Sequence, residues 1–165
     1  MASADDVHRE FGNAAEAGQL LETHLGNMML EHDVITEKLA VVKNPKRAKE
    51  ILDDINKHTL GHLLRKFHKV GPTLKTLEAQ LEHALKERNR LVHHFFRHHN
   101  LRRQTLEGRD LMLKDLVAIH DTLLNAYTAV MLLEGIDLRA MMKVGPVETP
   151  IIHEAQVNPR KRLPI

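Results

Sequence analysis

Residues 73–99 read TLKTLEAQLEHALKERNRLVHHFFRHH. Leu74, Leu77, Leu81, Leu85, Leu91, Val92 and Phe95 recur in it at steps of three and four, the spacing of one helix face. The Gly71-Pro72 pair just before supplies a stop for one helix and a start for the next. The same period extends in both directions. Upstream, Phe11, Ala14, Gly18, Leu21, Leu25, Met28, Ile35 and Leu39 predict a long first helix, with His32 as a candidate break and Asn44-Pro45 as its stop. Ile51, Leu52, Ile55, Leu60, Leu63, Leu64 and Phe67 then predict short helical stretches. Downstream, a polar turn over 100–104 leads to Thr105 as an N-cap, and Met112, Leu116, Ile119, Leu123, Ala126, Val130 and Leu133 line a last long helix. No stretch alternates apolar and polar residues as a half-buried strand does. The expectation is an all-α antiparallel helical bundle over 1–143. Its long helices fall near 5–42, 72–99 and 105–143, with one or two short ones between. Pro146, Pro150, Pro159 and Pro164 bar helix from 144–165, which is expected to be an extended or disordered arm.

Composition narrows the function. With 165 residues, 42% hydrophobic and 28% charged, the chain suits one folded domain rather than a generally disordered one. No uninterrupted apolar run approaches the ~18 residues of a membrane helix, so no membrane partner is expected. The absence of cysteine excludes disulfides, thiol nucleophiles and thiolate metal sites, and with no signal-peptide pattern a cytoplasmic location is expected. Aromatics are 3%, too few for a platform that stacks many bases. No glycine-rich loop follows a strand, so nucleotide cofactors find no cradle. Charge, however, is uneven. Residues 65–103 carry ten Lys/Arg against three Asp/Glu, and eight of the thirteen histidines fall between His58 and His99. Such a surface suits a polyanion, and nucleic acid is the commonest one.

In the same segment the apolar stripe is interrupted by Arg88. A guanidinium at a seam position needs a carboxylate, a cleft or a symmetry partner to face it. Asn89 and His93 follow one helical turn apart and share a face, while Arg88 and His93 lie about 140° apart on the helical wheel.

The stretch LEHALKERNRLVHHFF, residues 81–96, resembles the motif helix of HEPN domains. These are small helical bundles of prokaryotic toxins, antiviral systems and RNA-processing enzymes. Their signature is an arginine, a polar residue that is often asparagine, and a histidine after four to six intervening residues. Arg88, Asn89 and His93 match it with four, and His94 would match it with five. The resemblance implies metal-independent RNA cleavage by a homodimer with a composite Arg/His site and no cofactor. Arg88, His93 and Asn89 would be its catalytic set, and Arg90, His94, Arg97, Arg102 and Arg103 its RNA-binding set. It also implies a toxin or defence setting with a protein partner or antitoxin. One departure stands out: HEPN toxins silenced by a nucleotidyltransferase carry a tyrosine two residues after the motif histidine. Here Phe95 holds that position and Tyr127 is remote.

Two other readings stay open. His58/His62 and His94/His98 are i,i+4 pairs of the kind that can chelate a metal, although the Glu-x-x-His repeat of di-iron bundles is absent. Family members without activity serve as dimerisation modules, so a non-catalytic adaptor that binds protein or RNA is the alternative. Its arm, with Arg160, Lys161 and Arg162, could pack on a neighbour.

Overall fold

The computed structural model describes residues 1–42, 44–70 and 75–136. Six helices follow in order: α1 (Ala4–Thr36), α2 (Leu39–Val42), α3 (Pro45–Ile55), α4 (Leu60–Val70), α5 (Lys75–His98) and α6 (Leu106–Leu133). A single 3₁₀ turn, Arg102–Gln104, joins the last two, and there is no strand among the described residues. The all-α bundle read from periodicity is the observed fold. The expected 144–165 arm, the 137–143 end of the last helix and the 71–74 start of the second lie outside the described residues.

Local chemistry sets the boundaries. Ser3 and Asp6 form a capping box that starts α1, each side chain accepting from the other's backbone N–H. Asn44 caps α3 with Pro45 in its first turn, and the Thr105 hydroxyl accepts from the Gly108 N–H to start α6. Two boundaries differ from expectation. The first helix breaks not at His32 but at Lys38, whose φ of 53° is left-handed and redirects the chain into α2. The last long helix stops at Leu133 rather than near 143. Gly135, at φ 76°, lets the Ile136 N–H reach the Met131 carbonyl and its own N–H reach that of Leu132, the paired bonds of a glycine-terminated helix.

The three long helices form an up-down-up bundle. Contacts of α1 with α6 run in the same direction along both helices, Glu10 to His120 and then His24 to Glu134, so these two are parallel. Contacts of α5 run oppositely on α1, from Glu22–Arg88 to Phe11–Phe96, so α5 is antiparallel to it. Leu21, Leu25, Leu81, Leu91, Phe95, Met112, Leu116, Ile119 and Leu123 fill the centre, while α3 and α4 seal the C-terminal half of α1 with Ile51, Ile55, Leu63 and Phe67. Two residues expected in the apolar stripes, Ile35 and Val92, are exposed. Although no apolar run is unbroken, α6 holds an 18-residue window of mean hydropathy 1.5, long and apolar enough by composition to cross a membrane. In the bundle its Met112-Leu116-Ile119-Leu123-Ala126-Val130 stripe is the core.

Candidate active-site ridge on α5

The buried stripe of α5 is Leu77, Leu81, Ala84, Leu91 and Phe95, and Arg88 sits on it between Ala84 and Leu91. Its partner is a carboxylate from another helix: Arg88 Nη2 donates to Glu22 Oε2 of α1 at 3.0 Å, both side chains about a quarter exposed (24% and 27%). Gly18, one turn earlier on α1, leaves room for the arginine's stem, since a Cβ there would meet Arg88 Cγ at 3.4 Å. The seam charge is therefore met within one chain. Arg88 Nη1 also reaches Asn89 Oδ1 at 3.4 Å, which leaves three of its five N–H donors for another acceptor.

Asn89, His93, His94 and Arg97 are all exposed along the solvent side of α5. Among the described residues His93 makes no hydrogen bond or ion pair, and its ring meets that of His94 edge-on at 6.2 Å. Arg97 has no partner among the described residues either, and with His98 it lies in the last helical turn, at the negative end of the α5 dipole. Arg88 thus sits on the buried stripe of α5 and His93 on its solvent side, with no hydrogen bond between them among the described residues. Phe95, at the position where silenced toxins carry tyrosine, is buried against Phe11 and His99, and Tyr127 packs on His24.

Arg90 turns away from the ridge. Its Nη1 and Nη2 grip Asp115 of α6 at 2.7 and 2.9 Å, and its Nε and Nη2 hold Glu87 at 3.0 and 2.6 Å. Four of its five donors are used. Arg90 thus joins α5 to α6, and one of its five donors is left for the phosphate contact expected of it. His99, only 2% exposed, completes the network through a 2.8 Å bond from Nε2 to Asp115 Oδ2. Its Nδ1 lies 3.3 Å from Arg102 Nη1. An arginine can only donate, so Nδ1 accepts and the ring proton belongs on Nε2, pointing at the carboxylate. Arg102 is therefore anchored to this network although its side chain is exposed, and Arg103 is exposed beside it.

This network is readable in acid. Hydrogen bonding from Arg90, joined by His99, holds the Asp115 carboxyl below its ordinary 3.8 despite partial burial. A depressed folded pKa stabilises the fold fully above the unfolded value and loses that stabilisation as pH falls through the folded one. Asp115→Asn is expected to lower the melting temperature at about pH 7, and the gap from wild type to shrink below about pH 4. Equal gaps at neutral and acid pH would contradict an ionised Asp115 as the hub.

The two histidine pairs stay pairs. His58 and His62 lie with ring centroids 3.8 Å apart, and His94 and His98 stack at 5.9 Å. Burial and then the neighbouring His58 push the His62 pKa down. Among the described residues no group of three or more histidine, aspartate or glutamate side chains is placed to hold a metal.

Sequence reasoning missed His99, Asp115 and Glu87. His99 had a signal, because the α5 stripe carried four residues past Phe95 lands on it; Asp115 and Glu87 had none without the packing of α5 on α6. Comparison with known proteins finds no match to the chain among family models, curated proteins or solved structures.

Proposed function

We propose that this chain is a metal-independent endoribonuclease of HEPN type, acting as a homodimer whose site combines Arg88 and His93 of two copies. Toxin or defence systems are the setting that the family resemblance suggests. One observation carries the reading. Among the described residues His93 has no hydrogen bond or ion pair that would keep it on the ridge, and with Asn89 it follows, on the same helix, an arginine that is fixed by Glu22 and still has donors to spare.

The chemistry fits those groups. His93 of one copy takes the proton from the ribose 2′-hydroxyl, the 2′-oxygen attacks phosphorus, and the 5′-oxygen leaves with that proton, returned by the same imidazole through water. The Arg88 fork stabilises the charge on the non-bridging oxygens of the phosphorane. The products are a 2′,3′-cyclic phosphate and a 5′-hydroxyl. Asn89 positions His93 or the substrate, and His94, Arg97, Arg102 and Arg103 supply sequence-independent phosphate contacts.

The adaptor reading draws on one fact, that Glu22 satisfies Arg88 as it would satisfy a purely architectural arginine. The test is cleavage of end-labelled single-stranded RNA in excess EDTA. Products ending in a cyclic phosphate support the nuclease. RNA left intact over hours by a dimeric, folded protein favours the adaptor.

A further inference from the structure

At the end of α5 beyond the ridge, a half-open cavity of about 250 Å³ lies between α1, α5, α6 and the 3₁₀ turn. Its walls are Val7, His8, Phe96 and Met112, and its cationic side is Arg103 and Arg109. Among the described residues no carboxylate lines it. Val7 and Met112 are fully buried as its floor, whereas Phe96, 37% exposed, forms a wall open to solvent.

That wall is held in place. The Phe96 ring leans on Phe11 at 5.0 Å and meets Phe95 edge-on at 5.3 Å, with His8 at 6.1 Å. The cationic side is also built. Arg109 Nε donates to the Ala2 carbonyl and Nη1 to the Arg103 carbonyl, each at 3.0 Å, which fixes the start of the chain and the 3₁₀ turn to α6. Among the described residues the Nη2 group of Arg109 and the exposed Arg103 side chain have no hydrogen-bond partner.

An apolar slot with a fixed aromatic wall and two arginines on its rim fits a flat heterocycle that carries an anion. The volume is just under the ~300 Å³ at which pockets for drug-sized ligands begin, so it suits one such ring. The position supplies the rest. Phe96 follows His93 by three residues, about 4.5 Å along the helix axis and on the same flank. A strand whose scissile phosphate sat at Arg88 and His93 would carry its next nucleotide to this opening. We propose that the cavity is a nucleotide subsite, with the base stacked on Phe96 and its phosphate on Arg103 and Arg109. The proposal rests on the ribonuclease reading and names where that substrate's neighbouring base goes. The scarcity of aromatics argues against a stacking platform but leaves room for one stacked base.

The experiment is a methyl NMR titration of the full chain with adenosine 5′-monophosphate, ribose 5-phosphate and octanoate, following Met112 and Val7. Saturable shifts with the nucleotide are expected, at least about fivefold weaker binding to Phe96→Leu, and retained binding to Phe96→Tyr. Arg103→Ala should weaken binding and flatten its salt dependence, and it gives a second route should Phe96→Leu fail to fold. Ribose 5-phosphate binding as tightly as the nucleotide, octanoate binding in its place, or no methyl shift with any ligand would overturn the subsite. Its failure is separable from that of the nuclease. RNA cleavage without nucleotide shifts removes only the subsite, while nucleotide shifts in a protein that never cleaves RNA remove only the nuclease.

Discussion

Replacing His93 by alanine is expected to lower the rate of RNA cleavage by roughly 10²–10⁴, the usual contribution of a positioned general acid or base. Folding should be untouched. His93 is exposed and makes no hydrogen bond or ion pair among the described residues, so its removal strands none of them and opens no hole. Arg88→Ala should lose activity on the order of 10²–10³ through lost stabilisation of developing charge. It should also destabilise, because Glu22 is left without its cation. Both side chains are about a quarter exposed, so the cost is on the order of 1 kcal/mol, between an exposed pair and a buried one. Arg88→Lys, which keeps the charge but loses the planar fork, should fall between wild type and Arg88→Ala in rate. Single-turnover cleavage with thermal unfolding on the same samples separates the two effects. A His93→Ala protein that cleaves at the wild-type rate would remove the histidine from the chemistry.

The largest effect on stability is expected at Gly108. This glycine is in the first turn of α6, and the 3₁₀ turn crosses directly over it. A Cβ placed there would stand 2.0 Å from the Arg102 carbonyl oxygen and 2.7 Å from that residue's carbonyl carbon and Cα. The obstacle is backbone, so no rotamer change relieves it. Gly108→Ala must lift the 3₁₀ turn, and with it the Arg102 contact to His99 and the placement of Arg103. The expected cost is about 3 kcal/mol, the upper part of the usual range for overpacking. In a chain of this size that lowers the melting temperature by roughly 6–12 °C. Gly12 is the internal control. It is also helical, but nothing lies within 4 Å of its Cβ direction, so Gly12→Ala should stabilise by about 0.5–1 kcal/mol. Opposite signs for the same substitution are the result to look for, and a stabilised Gly108→Ala would contradict the packing described.

The sequence showed most of the fold because three long stripes with a helical period leave few arrangements. It was weaker where a boundary depends on one residue's backbone. Gly135 is a readable stop, and the apolar pattern that continued past it masked the signal; Lys38 in a left-handed conformation has no sequence mark at all. Arg88 was legible as an interruption of a stripe, and its answer, Glu22, was not, since 66 residues separate them in the chain. Arg90 and Arg97 read alike as basic residues of one helix. Only the packing of α6 shows that the first faces Asp115 and the second faces solvent. Phe96 was hidden for a similar reason. Period analysis assigns Phe95 to the core and says nothing about what its exposed neighbour could do beside His8 and Arg103.

The central claim is that one site is shared between two copies, and mixing the two inactive variants tests it most directly. In a mixed dimer of Arg88→Ala and His93→Ala chains, an intact arginine and an intact histidine come from different subunits. After subunit exchange, followed with differently tagged chains, the mixture is predicted to regain metal-independent cleavage that neither variant shows alone. A verified mixed dimer as inactive as its parents would contradict a composite Arg88/His93 site.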